Sequence, residues 1–143
     1  MLRAMRFAMV GSLFSVLGGC AAVDIVSPGA QALTPEQSAW IISDDDVQIV
    51  SIDGSKLHSG VTIANDAFLD GVRDKVRVEP GSHEIAVRMD NGMYVMKDPT
   101  KLRVDTKAAT TYHVTFEYGS PGEYKIQPYD GIPTKELLKR LDH

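Results

Sequence analysis

The sequence predicts an all-β fold: a small antiparallel β-sandwich of about seven strands, with short helical turns near both ends of the mature chain. Three observations carry this. In several stretches between Val47 and Ile126 apolar residues recur at every second position, the period of a strand with one buried face. Asp53-Gly54, Pro80-Gly81 and Asp90-Asn91-Gly92 punctuate those stretches with residues that favour turns. No segment carries a helical apolar period long enough for a crossover between parallel strands.

Elements follow in order along the chain. Thr34-Pro35-Glu36-Gln37 has the form of a helix start, with Thr34 as N-cap, Pro35 in the first turn and Gln37 closing a capping box. Trp40, Ile41 and Ile42 are expected to extend that turn, with Trp40 plugging the domain, and Asp44-Asp45-Asp46 to end it. Val47–Ile52 is apolar on both faces, as an interior strand is. In the less regular stretch 55–75, Val61-Thr62-Ile63 is a candidate strand, and Phe68 and Leu69 are candidates for the core. Val76 and Val78 alternate with charged residues up to the Pro80-Gly81 turn. His83, Ile85, Val87 and Met89 then share one face. Met93–Met96 is expected to begin a strand, and Leu102 and Val104 to lie on another. Tyr112, Val114, Phe116 and Tyr118 are expected to point inward, with His113, Thr115 and Glu117 in solvent. Gly119–Gly122 is a turn, Tyr124, Ile126 and Pro128 continue beyond it, and Thr134 caps a short helix carrying Leu137, Leu138 and Leu141.

The start of the chain carries an address. Met1–Arg6 holds two positive charges and no acid, and Phe7–Leu17 is largely apolar. This is a signal-peptide pattern, too short for a membrane span of about 20 residues. It ends Leu17-Gly18-Gly19-Cys20. This resembles the lipobox of bacterial lipoproteins: an aliphatic residue, two small residues that let a peptidase approach the backbone, then cysteine. The resemblance implies a diacylglyceryl group on the Cys20 sulfur and cleavage after Gly19. The alternative is an ordinary secretory signal containing a chance cysteine, but the sole cysteine of the chain stands where the lipid must go. Ala21 follows Cys20. In the sorting pattern of enteric lipoproteins that implies a lipid-anchored, periplasm-facing protein of the outer membrane, with the inner membrane and the cell surface as alternatives.

The expected organisation is a signal peptide over 1–19, a lipidated flexible tether over 20–33, and one domain over 34–143. Removing the signal leaves 124 of the 143 residues, enough for a single core. Two of the fifteen basic residues and none of the nineteen acids lie in the signal, so the mature side chains sum to −6. That charge argues against nucleic acid as a partner. With no further cysteine, an intramolecular disulfide is impossible and stability must come from packing.

Residues 75–89, KVRVEPGSHEIAVRM, resemble PEGA-type and carboxypeptidase-regulatory-type modules, which place a Pro-Gly turn between two alternating strands of a small sandwich. The resemblance implies a non-catalytic accessory or binding module.

Candidate chemistry is sparse. None of the four histidines has a zinc-site spacing, and no GxSxG nucleophile pattern occurs. His83, beside apolar neighbours on a strand, reads first as a structural, hydrogen-bonded residue. Asp44, Asp45 and Asp46 with Asp53 are calcium candidates that lack EF-hand spacing, and read first as a solvated turn. Met89, Met93 and Met96 with His83 form a soft-ligand candidate of the kind that suits Cu(I), against the simpler reading of methionines filling a core. The expectation is therefore a protein without catalytic residues or cofactor. It would be membrane-bound through Cys20 and dock an envelope protein through a sheet edge or loop. The alternative is a small-ligand or metal-binding lipoprotein.

Overall fold

Alternation in the sequence becomes strand pairing because each run can bury one row of side chains against a second sheet. A computed structural model describes residues 25–57 and 72–141, and within them nine strands form two sheets. One sheet has the order β1 (Ile25–Val26), β5 (Val72–Val78), β2 (Ala39–Asp44), β8 (Thr110–Glu117), β9 (Glu123–Asp130). The other has the order β4 (Ser55–Lys56), β3 (Val47–Ile52), β6 (Gly81–Met89), β7 (Thr100–Thr106). One core joins them, with Ile41, Val76 and Val114 from the first sheet and Ile49, Ile85 and Val87 from the second. The architecture is the all-β, sandwich-like one expected. The candidate elements at residues 61–63 and 68–69 and the whole signal lie outside the described residues.

The antiparallel expectation holds for the second sheet alone. In the first, β1 runs parallel to β5 and β2 parallel to β8. No crossover helix is needed, because the chain between β2 and β8 travels through the second sheet. For the same reason Pro80-Gly81 does not close a paired hairpin. It carries the chain from β5 in one sheet to β6 in the other, with Gly81 at φ 140°, a conformation open to glycine.

Four further expectations are corrected. The 3₁₀ turn Pro35–Gln37 has the expected capping box, but it stops there, and Trp40, Ile41 and Ile42 lie in strand β2. Ile41 enters the core between the sheets and Ile42 on the other face packs against Leu138, so side chains on both faces of β2 are buried. In β3 the register shifts between Ile49 and Ser51, so Val47, Ile49 and Ile52 all join the core. Such a bulge reverses the facing of the residues beyond it, which accounts for a strand apolar on both faces. Beside the bulge, the Asp74 carboxylate of β5 accepts the Ile49 N–H at 2.8 Å, tying the sheets together. Met93–Met96 forms a turn rather than a strand, closed by a single bridge between Asp90 and Val95. Asn91 Oδ1 accepts the N–H groups of Met93 and Tyr94 at 3.1 and 2.8 Å; this Asx arrangement competes with a ladder.

The fourth correction concerns the tether. Ile25 and Val26 pair with Val76 and Arg77, and Ala30 is fully buried. The Ser27 hydroxyl donates to Glu79 at 2.9 Å, and Arg77 donates to the Leu33 carbonyl at 3.1 Å. The domain therefore begins by Ile25, not Thr34. A two-residue strand has no readable period, so composition alone suggests a linker.

The last helix, α1 (Lys135–Leu141), is capped by Thr134, whose hydroxyl accepts the Leu137 N–H at 3.2 Å. Leu138 packs on Ile42, with Leu141 beside them, in a small cluster separate from the main core.

Candidate functional site

Among the described residues both buried histidines belong to networks that cross between elements. Alternation along β6 turns His83 inward beside Ile85, and its ring is 3% exposed. Nδ1 lies 2.7 Å from Asp53 Oδ2, and Nε2 lies 2.7 Å from the Glu79 carbonyl. Asp53 sits at φ 49° in the Asp53-Gly54 turn joining β3 to β4, where aspartate tolerates the left-handed region. Its other oxygen accepts the Glu84 N–H at 2.9 Å.

A carbonyl and an ionised carboxylate accept hydrogen bonds and donate none, so both contacts are satisfied together when both ring nitrogens of His83 carry protons. This arrangement favours the protonated ring. Burial pushes its pKa down, but the hydrogen bonds to Asp53 and Glu79 and the negative charges of both side chains outweigh burial and raise it. Burial also pushes Asp53 up, and the His83 and Glu84 bonds with the His83 charge bring it below its ordinary value. A general base needs a ring nitrogen free to take a proton. His83 has none, and the same engagement removes it as a metal ligand.

His113 departs from expectation. Alternation assigns it to solvent, yet it is 5% exposed, with Nε2 2.6 Å from Asp44 Oδ1. Its strand β8 is interior to its sheet, and Thr111 on the same face is fully buried, its hydroxyl bonded to the Gly131 carbonyl in the segment leading to α1. A face that looks outward in one strand is covered by chain that comes later.

The candidate soft-ligand set does not assemble. His83 lies near the start of β6 and Met89 at its end, about 20 Å apart at strand rise. Met89 is buried, Met96 is within 3.5 Å of the Tyr124 hydroxyl, and Met93 is 96% exposed. The acidic candidates are divided too. Asp44 holds His113, Asp46 accepts from the Tyr118 hydroxyl at 2.7 Å, and Asp53 holds His83 at the other end of the sandwich. Among the described residues no group of three or more histidine, cysteine or acidic side chains is placed to hold a metal. Cys20, Leu17, Gly18 and Gly19 lie outside the described residues.

What the structure does gather is an apolar end. The β2–β3 turn, the link from β6 to β7 and the segment joining β8 to β9 meet there: Asp90 N–H donates to the Asp46 carbonyl at 2.8 Å, and Tyr118 reaches Asp46. The strand period directs Tyr118 inward, yet it lies just past the last residue of β8 and is 61% exposed. Met93, Tyr94 and Val95 are exposed beside it, at 96%, 61% and 44%. Phe116 supports this end, its ring edge-on to Tyr118 and Tyr124 at 5.1 and 4.9 Å. Tyr124 accepts the Met89 N–H at 2.8 Å, fixing β9 to the second sheet. Its phenol is held above the ordinary value by burial, and that of Tyr118 by its bond to Asp46. Sequence reading misses this surface because the apolar run Met93–Met96 looks like a strand to be buried. The Asn91-Gly92 pair just before it is the signal of a turn.

The chain matches no protein-family model, no curated protein and no solved structure.

Proposed function

We propose that this protein is a lipid-anchored, non-catalytic interaction module of the bacterial envelope, held by Cys20 to the periplasmic face of the outer membrane. The observation that carries the reading is the exposed apolar end. Large apolar side chains clustered on a turn that hydrogen bonds hold in shape mark a contact surface. The long sheet edges are poorer docking elements: β7 carries Lys101 and Arg103, and β9 carries Lys125 and Pro128, residues that blunt edge pairing.

The alternative, a small-ligand or metal-binding lipoprotein, has less support. Its best ligand set is split between the two ends of the sandwich, and His83 is engaged at both nitrogens.

Two measurements test the proposal together. Cells labelled with radioactive fatty acid should incorporate it into the wild type and not into Cys20→Ser; equal labelling refutes the anchor. A photo-crosslinker replacing Tyr94 in the lipidated protein should react with an envelope component, and one replacing Lys107 should not. Equal yield at both positions refutes the contact surface.

A further inference from the structure

We infer that the component met by the apolar end is the bilayer that carries the lipid itself, so that the sandwich stands on the membrane with Met93, Tyr94 and Val95 at the headgroups. This rests on the lipid anchor proposed above and deepens it.

Chain length supplies the first argument. Five peptide units link Cys20 to Ile25 and span at most about 18 Å. Ile25 pairs with Val76, and β1 runs parallel to β5, so the chain enters from the direction of Val72. That is the end where Asp44 pairs with Val72 and where the apolar turn lies. From Val76 back to Val72 is about 13 Å at strand rise. The link can pass that end with only a few ångströms to spare, so a lipidated chain entering this way brings the end close to the bilayer.

Composition supplies the second. Every large, exposed hydrophobic side chain among the described residues lies at this end: Met93, Tyr94, Val95 and Tyr118. Tyrosine favours the headgroup level, where its ring is shielded and its hydroxyl stays wet. β1 lies three strands from β8, about 14 Å across the sheet. Lipid and apolar turn would thus touch the membrane at two separate points and fix the tilt of the domain. Asp45, Asp98, Glu117 and Glu123 stand at this end with Lys97 and Lys125, the latter paired with Glu117 at 2.6 Å, so the end stays net acidic and disfavours an anionic surface. The bilayer implied is one of neutral headgroups.

Lipidated full-length Tyr94→Cys, labelled with an environment-sensitive fluorophore and reconstituted in phosphatidylethanolamine–phosphatidylcholine vesicles, tests this. Lys107→Cys at the opposite end and Gln31→Cys beside β1 serve as controls. A mass spectrum of each sample reports the lipid on Cys20. Spin-labelled lipid should quench most of the fluorescence at position 94 and little at 107 or 31. Met93→Asp in the Tyr94→Cys chain, or phosphatidylglycerol in the vesicle, should reduce that quenching. Quenching at 31 or 107 in place of 94 overturns the proposal, as does no quenching anywhere with the lipid present, or a protein crosslinked to position 94 without quenching. Absence of the lipid mass instead overturns the anchor, and the proposal with it.

Discussion

His83 donates from Nδ1 to the Asp53 carboxylate at 2.7 Å, with the ring 3% exposed and the carboxylate half in water. The pair joins the β3–β4 turn to β6, and through the Glu79 carbonyl it reaches the β5–β6 link. Glu79 in turn accepts from Ser27 with its side chain. One histidine ring therefore connects the second sheet, the passage between sheets and the segment that follows the proposed anchor.

Stability should depend on pH through this pair, and the sign follows from the two shifts. The folded pKa of His83 is raised above 6.5; its contribution is complete below that value and is lost as pH rises through the raised one. The folded pKa of Asp53 is lowered below 3.8; its contribution is complete above that value and is lost as pH falls through the lowered one. Both act fully between about pH 3.8 and 6.5. Urea denaturation should show the wild type losing stability as pH rises above about 6.5. Asp53→Asn keeps a residue that tolerates positive φ and removes the charge. It should cost about 1–2 kcal/mol near pH 6, tempered by the exposure of the carboxylate, and flatten the alkaline loss. Parallel pH profiles for the two proteins would refute the pairing.

His83 is readable in the sequence because its strand alternates cleanly and its apolar neighbours declare the inner face. His113 is not. The same alternation in β8 assigns it to solvent, since a single strand does not reveal that α1 and the chain leading to it will cover the other face. The β3 bulge is hidden for a related reason: an extra residue shows only against a partner strand. Ile25 and Val26 escape notice because two residues carry no period, and the partner that orders them, β5, lies some fifty positions later. Local chemistry fares better. The Thr34–Gln37 capping box, the Asp53-Gly54 turn and the Thr134 cap all form as read, because each is decided within a few residues.

Burial on the inner face of β8 falls off towards the end of the strand. Val114 is fully buried, while Phe116 is only partly so. Phe116→Ala should therefore cost about 2–3 kcal/mol, toward the low end for a phenylalanine truncation. A side chain at Gly122 would run into the Phe116 ring, so Gly122→Ala should displace the ring and cost about 1–3 kcal/mol as overpacking. Thr115→Ala should change stability by under about 0.5 kcal/mol. Urea curves at constant m report all three. A Thr115→Ala loss larger than that of Phe116→Ala would invert the assigned facing.

Cu(I) should bind weakly and without dependence on Met93. Met93 is exposed while Met89 is buried, and a specific site needs its ligands held in one geometry. Anaerobic titration of the wild type and Met93→Ala should give the same weak isotherm. A stoichiometric isotherm that disappears in the variant would restore the metal-binding reading.

A chain beginning at Thr34 should be less stable than one beginning at Ala21, opposite to what a tether implies. The shorter chain loses the β1–β5 pairing, buried Ala30, the Ser27–Glu79 bond and the Arg77 bond to the Leu33 carbonyl. It also uncovers one edge of β5, leaving its backbone groups to water. Hydrogen bonds of this kind contribute about 1 kcal/mol each, offset by the roughly 1–2 kcal/mol per residue needed to order the segment. A net loss of about 1–2 kcal/mol is the expectation, which for a domain of this size lowers Tm by roughly 5–10 °C. Glu79→Gln in the longer chain weakens the Ser27 bond and leaves the segment in place, so it should lower Tm by a smaller amount, and in the Thr34 chain it should do less. Equal melting of the two chain lengths would show that the stretch 25–33 contributes nothing to stability. If Glu79→Gln lowered Tm equally in both, the effect would come from the His83 network rather than from the Ser27 bond.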